Sequence, residues 1–349
     1  MSKAYLGEIA EQPGILDRLA TRFAADYATP LADLAAGLAQ GRFDRVIVTG
    51  MGGSLHGAYP AFLDLSRRLP LPVLLWDASE LSQQVPGVVT PKSLVIAISQ
   101  SGESGEIKRL TEVAARPAQV LAITNGPDNT LARWSDIGIA TEAGPELTAS
   151  TKTYTAGLAA LYLAVAHLSG EGSSAADDVA KTAADAAQLL KCMADQTTEA
   201  AAFLGHDAPL VFIGRGPSFA SAAMAALLTE EAAKLTCQAL TGGQFRHGPL
   251  ELVREGFRAV VYLGQGPARS LSQQIAQQIA ALGGRCLTIG SGTGPVGDGL
   301  RHISLPVTPE SLLPLPEILP IQHLVIPLAI ARGFEPAAFL NARKITTGE

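Results

Sequence analysis

Short runs of apolar and β-branched residues alternate along the first half of the chain with longer Ala- and Leu-rich stretches whose apolar positions recur at helical spacing. Strands are expected at residues 45–49, 73–76, 93–98, 120–124 and 137–140. Between them, stretches such as 56–68 and 106–114 are expected to form helices. Connections of that length are too long for hairpins, so the pattern predicts βαβ units and a parallel sheet covered on both faces, an α/β fold.

The pattern then starts again. RVIVTGMGGSLHGAYPAF (45–62) is similar to LVFIGRGPSFASAAMAAL (210–227), VIAISQSG (95–102) to VVYLGQGP (260–267), and LAITN (121–125) to LTIGS (287–291). Gly50 to Gly214, Val95 to Val260 and Leu121 to Leu287 are separations of 164, 165 and 166 residues, a drift small enough to indicate an internal duplication. The small, polar GEGSSAA (170–176) reads as a surface connection. The expected division is therefore 1–195 for a first α/β domain with a helical lead-in and 196–349 for a second.

The residues after the third strand carry the first chemical signal. SQSGES (99–104) places three hydroxyls and a glycine at the carboxyl edge of a buried strand, where ligands of open α/β sheets bind. The following helix offers unpaired N–H groups and a dipole that favours an anion. Ser99, Ser101 and Ser104 add donors, and Gly102 lets the backbone approach closely. One N-cap would account for one serine. Three, together with Gly52-Gly53-Ser54 after the first strand and Thr148-Ala149-Ser150-Thr151 before a later helix, converge on a bound phosphate. The second copy reads Gly264-Gln265-Gly266-Pro267, expected to keep the turn without its hydroxyls, so one phosphate per chain is expected. GMGGSL lacks the third glycine of GxGxxG, and no GxxxxGK[ST] occurs, so neither a dinucleotide site nor an NTPase loop is expected.

Composition narrows the classes. The net charge of −6 is dispersed, with no basic stripe, which argues against nucleic acid. The N-terminus MSKAYLGEIAEQPG lacks a signal-peptide core, and the most apolar stretch, 318–331, is short and holds His323, so a soluble cytoplasmic protein without a membrane partner is expected. Cys192, Cys237 and Cys286 are odd in number and far apart, with no metal-ligand spacing. Buried free thiols are expected, and neither metal nor cofactor.

In the second copy, TEEAAKLTCQALTGGQFRHGPLELV (229–253) sets Glu230 and Glu231 in a helical segment that Gly242-Gly243 is expected to break before His247. Singly, these read as a solvated helix face and a turn histidine. Together, SQSGES, TASTKTYTAGL (148–158), the TEEAAKL…GGQFRHGPLELV block, the terminal NARKITTGE and the opening YLGEIAEQPGIL resemble the sugar isomerase (SIS) domain pair of the glutamine:fructose-6-phosphate amidotransferases, over essentially the whole chain. The resemblance implies two tandem flavodoxin-like SIS domains. It implies a sugar phosphate held by Ser99, Gln100, Ser101 and Ser104, with Ser54 and Ser150 nearby and Glu146 lining the pocket. It further implies Glu231 as the base moving a proton between C1 and C2, and Lys344 as the tail lysine contacting the open sugar. His247 would be the ring-opening histidine, supplied by the neighbouring subunit of a homodimer.

Departures accompany the likeness. Leu228 stands where family members with synthase activity carry a lysine, and Gly53 stands where a threonine is usual. No glutaminase half is present in the sequence, so amide transfer is not expected. The expected function is a stand-alone glucosamine-6-phosphate deaminase/isomerase that releases fructose 6-phosphate and ammonia. The alternatives are a phosphosugar aldose–ketose isomerase without deamination, a deaminase of another hexosamine or fructosamine 6-phosphate, and a non-catalytic sugar-phosphate-binding protein.

Overall fold

The structure, a computed structural model, describes residues 2–341 and Lys344. The chain opens with the long helix α1 (Ser2–Ala39) and continues through β1 (Arg45–Gly50), α2 (Gly52–Arg68), β2 (Val73–Asp77), α3 (Ala78–Gln83), β3 (Ser93–Ile98), α4 (Gly105–Val113), β4 (Gln119–Thr124), α5 (Thr130–Trp134) and β5 (Ile137–Ala140). Three helices follow: α6 (Lys152–Leu168), α7 (Gly172–Leu189) and α8 (Met193–Leu204). The second series is β6 (Leu210–Gly214), α9 (Ser218–Ala233), β7 (Cys237–Thr241), α10 (Gly242–Arg246), β8 (Arg258–Tyr262), α11 (Gly266–Ala281), β9 (Arg285–Ser291), β10 (Leu300–Leu305) and α12 (Pro314–Ala331).

The first five strands form a parallel sheet in the order β2-β1-β3-β4-β5, and the last five form another in the order β7-β6-β8-β9-β10. Relabelled within each series, both orders are 2-1-3-4-5, which reverses direction between the first and third strands. Register repeats as well: Gly50 pairs with Asp77, and Gly214 with Thr241. β3 is buried at every position, as a central strand covered on both faces must be. Val95, Val120, Ile107 and Leu110 join one core, and Ile213, Val261, Ile275 and Phe245 another.

The chain divides into two compact units by exchange of segments rather than at one point. Of the described residues, the first-sheet unit comprises 12–146, 152–183, 341 and 344, and the second-sheet unit 2–11, 147–151 and 184–340. Residue 195, the expected boundary, lies within α8.

Three expectations need correction. Gly242-Gly243 do not break the glutamate-bearing helix. That helix ends at Ala233, with Lys234 in the left-handed region (φ 54°) as its C-cap, and β7 follows. The glycines instead start α10, where Thr241 and Gln244 form a capping box. The turn after β8 is not kept. Ser99 N–H donates to Ile123 O and Leu263 N–H to Ile289 O, which makes those two positions equivalent, yet α4 begins at Gly105 and α11 already at Gly266. Of the three free cysteines only Cys286 is buried. Cys237 is half-buried, and Cys192 is exposed because it sits in the tight turn joining α7 to α8.

The stretch Glu310–Ala331 is long and apolar enough to cross a membrane, but 83% of its most apolar window is buried inside the protein. It contains α12, which packs against α8 and α9 as a core helix, with Ile318, Leu319, Ile321 and Val325 buried.

Candidate active site

In the first-sheet unit the two loops rich in small and hydroxyl residues leave adjacent strands at the same edge. Gly50, the last residue of β1, pairs with Ile98, the last of β3, and a Cβ at Gly50 would lie 2.9 Å from Ile98 O. Ser54, in the first turn of α2, and residues 99–104 therefore flank the point where strand order reverses, the crevice in which sheets of this order bind phosphates.

Each serine of the 99–104 bend already accepts one backbone hydrogen bond. Gly102 N–H donates to Ser99 Oγ at 3.1 Å, Glu103 N–H to Ser101 Oγ at 3.1 Å, and Ile107 N–H to Ser104 Oγ at 3.4 Å, the last being the N-cap of α4. The serines are thus turn and cap residues, and these bonds occupy an acceptor site while leaving each O–H to donate. Gly102, with φ +64°, is required here: a Cβ would lie 1.9 Å from Asn129 Oδ1, an atom that accepts from Ala132 N–H to cap α5. Gln100 and Ser101 are half-buried, and Ser99 is buried. Glu103, the one carboxylate in the bend, is engaged by Lys108 and by the Thr130 N–H, which hold it down at about 2.

The bend is tied to a second cluster. Asn125 N–H donates to Gln100 O. The Asn125 side chain accepts from Ala143 N–H at 2.8 Å and donates to Gly144 O at 2.8 Å, shaping the segment that leads to Glu146. Glu146 is buried. Its carboxylate accepts from Thr153 N–H (3.1 Å) and Thr153 Oγ1 (2.6 Å), and pairs with Lys344 Nζ at 2.5 Å. Lys344 and Glu146 are thus brought together across most of the chain length. The other residues of the terminal NARKITTGE stretch, apart from Asn341, lie outside the described residues. Lys152, buried at the start of α6, has its Nζ 3.8 Å from where a Cβ on Gly144 would be.

Reading the sequence singled out neither Asn125 nor Lys152. Asn125 directly follows β4 at the carboxyl edge, which is the signal that points to it. Lys152 lies within the quoted 148–158 run, as a cation at a helix start.

Ser150, Glu231 and His247 belong to the second-sheet unit. Glu8 accepts from Leu147 N–H at 2.5 Å and from Thr148 Oγ1, which fixes the segment carrying Ser150. The two adjacent glutamates of α9 differ: exposed Glu230 accepts from Cys237 N–H at 3.2 Å, a structural bond to the start of β7, whereas Glu231 is half-buried near the Lys234 ammonium. His247 caps α10 through its N–H to Gln244 O at 3.2 Å and is exposed.

Residues 41–167 match the SIS domain family. A glutamine–fructose-6-phosphate aminotransferase of Pyrococcus horikoshii is 31% identical over 88% of this chain and 52% of its own length. The chain spans about half the length of such curated relatives. A solved putative phosphosugar isomerase from Silicibacter pomeroyi is 28% identical with a TM-score of 0.76, covering 95% of this chain and 99% of that one. The C-terminal domain of glucosamine-fructose-6-phosphate aminotransferase from Francisella tularensis (TM-score 0.83, 23% identical, 96% and 97% covered) shares the fold. So does the glucosamine-6-phosphate deaminase of Thermotoga maritima (0.77, 20%, 98% and 99%). With its serine bend at the strand-order reversal inside the matched residues 41–167, the chain carries a SIS domain and is similar to these relatives along its length.

Proposed function

We propose that the chain is a phosphosugar isomerase whose two sheets are tandem SIS domains, and that its reaction is the isomerising deamination of glucosamine 6-phosphate. The observation that carries the reading is the bend at residues 99–104. There three serine hydroxyls, each already accepting a backbone N–H, have O–H groups left to donate at the reversal of strand order, the arrangement a terminal phosphate requires. The kinship with isomerising aminotransferases and with a putative phosphosugar isomerase of matching length supports the substrate class.

In this reading Ser99, Gln100, Ser101 and Ser104 hold the phosphate, with Ser54 and Ser150 nearby. His247 of a neighbouring copy in a homodimer opens the ring by moving a proton between the anomeric hydroxyl and the ring oxygen. Glu231 then takes the C2 proton of the open aldose, giving an enolamine, and returns a proton to C1. The product is the C2 imine. Water adds to that carbon and ammonia leaves, so fructose 6-phosphate and ammonia form in equal amounts.

Lys344 is the amine available for exchange with the C2 imine. Its Nζ is held against the Glu146 carboxylate, so it must leave that partner before it can act as a nucleophile. A reaction that only moves hydrogen between C1 and C2 needs no such amine, which is what favours deamination over simple isomerisation.

The test is an ammonia assay over a panel of hexosamine 6-phosphates with fructose 6-phosphate measured alongside. Equimolar ammonia and ketose from glucosamine 6-phosphate is the expected outcome. Ketose without ammonia identifies an isomerase, products from another hexosamine or a fructosamine phosphate reassign the substrate, and binding without turnover overturns the enzyme reading.

A further inference from the structure

The second sheet has its own reversal of strand order, between β6 and β8, and what stands there differs from the first. Ser218 opens α9 at the position equivalent to Ser54, since Gly214 and Gly50 hold the same register against β7 and β2. Where Ser54 is half-exposed, Ser218 is fully buried. Its hydroxyl donates to Glu317 Oε1 at 2.8 Å, and that of Ser221, one turn further along α9 and equally buried, donates to Glu317 Oε2. Glu317 is in the first turn of α12. The corresponding helix of the first unit, the one that follows the fifth strand, opens instead with the cation Lys152.

The surroundings are closed over this carboxylate. The shortened turn after β8 brings Gly264 (φ +62°) to where its Cβ would lie 3.6 Å from Ser218 Oγ. Gln265 Nε2 donates to Thr308 O at 2.6 Å, which fastens that turn to the segment leading into α12. A buried carboxylate is costly unless hydrogen-bonded, and two hydroxyl donors, one on each oxygen, are what a bound oxyanion would demand.

We propose that the Glu317 carboxylate occupies from within the oxyanion site of the second repeat, so that each chain binds a single sugar phosphate, and that removing this carboxylate opens a second site for a tetrahedral oxyanion such as phosphate. The statement of one phosphate in the native chain rests on the function proposed above; the latent second site does not. The fully buried side chain beyond Cβ leaves on truncation a polar cavity lined by two hydroxyls and the start of a sixteen-residue helix.

The experiment counts inorganic phosphate sites by equilibrium dialysis and records thermal stability in phosphate against chloride. The native chain is expected to bind one phosphate, Glu317→Ala two, and Glu317→Ala with Ser218→Ala one again. Phosphate, and not chloride, is expected to raise the melting temperature of Glu317→Ala more than that of the native chain. No site in the native chain and one in Glu317→Ala would sink the phosphosugar reading and leave this inference standing. A folded Glu317→Ala that gains no site overturns it, as does a variant that neither folds alone nor is rescued by phosphate, because the anion should then replace the carboxylate.

Discussion

At the scale of single residues, the hydroxyls of Ser99 and Ser101 have one observed duty and one proposed duty, which substitution can separate. Each accepts a backbone bond that shapes the bend, and each O–H is assigned to the phosphate. A hydrogen bond to a charged group contributes about 1.5–3 kcal/mol, so Ser101→Ala is expected to raise KM for the sugar phosphate roughly 10- to 100-fold with little change in kcat. Steady-state kinetics check this, and an unchanged KM would remove Ser101 from the phosphate site. These serines were legible in the sequence because three hydroxyls ending an apolar run exceed what one cap explains. Glu146 and Lys344 were named only through the family resemblance; that they pair across nearly two hundred residues was not legible, nor was Asn125, whose bonds shape a loop that no local pattern records.

At the scale of elements, burial pushes Glu317 up to about 7 even though both serine hydroxyls pull it down. The folded chain therefore holds the Glu317 proton more tightly than the unfolded chain, where the ordinary value is 4.5. That contribution to stability is fully present below about pH 4.5 and lost as pH rises through 7, amounting to about 3 kcal/mol. Glu317→Gln abolishes it, so urea titrations should show the Gln variant gaining on the native chain between pH 4.5 and 7; parallel profiles would contradict the assignment. The five strands of the first sheet could be read directly, and β3 and β5 have the expected bounds, since continuous apolar runs between breakers leave little ambiguity. The misreadings come from local signals with two meanings. Gly242-Gly243 look like a helix stop and serve as a helix start. Gly264-Gln265-Gly266-Pro267 align by sequence with the serine bend, yet the helix there starts early and the turn is shorter.

At the scale of the whole molecule, the duplication shows in both sequence and topology: two sheets repeat one strand order, and their equivalent positions have taken opposite roles. Around the first reversal of strand order the serine hydroxyls accept backbone N–H groups within the bend, and around the second they donate to Glu317. Segment exchange between the units was invisible in the sequence, because it is fixed by which distant surfaces pack and not by local composition. The proposal that His247 serves the neighbouring copy belongs to this scale. Mixing and refolding Glu231→Gln with His247→Ala, each inactive alone, should restore roughly a quarter of native activity, because a two-fold dimer made of one of each keeps one intact site. No recovery would place His247 in its own subunit's site.

The central claim is that the 99–104 bend seats the phosphate of a hexose 6-phosphate. A crystal structure of the protein soaked with glucosamine 6-phosphate tests it most directly. The account predicts phosphate oxygens within hydrogen-bonding distance of the Ser99, Ser101 and Ser104 hydroxyls, with C1 and C2 beside the Glu231 carboxylate. A sugar phosphate bound elsewhere with that bend empty would contradict it.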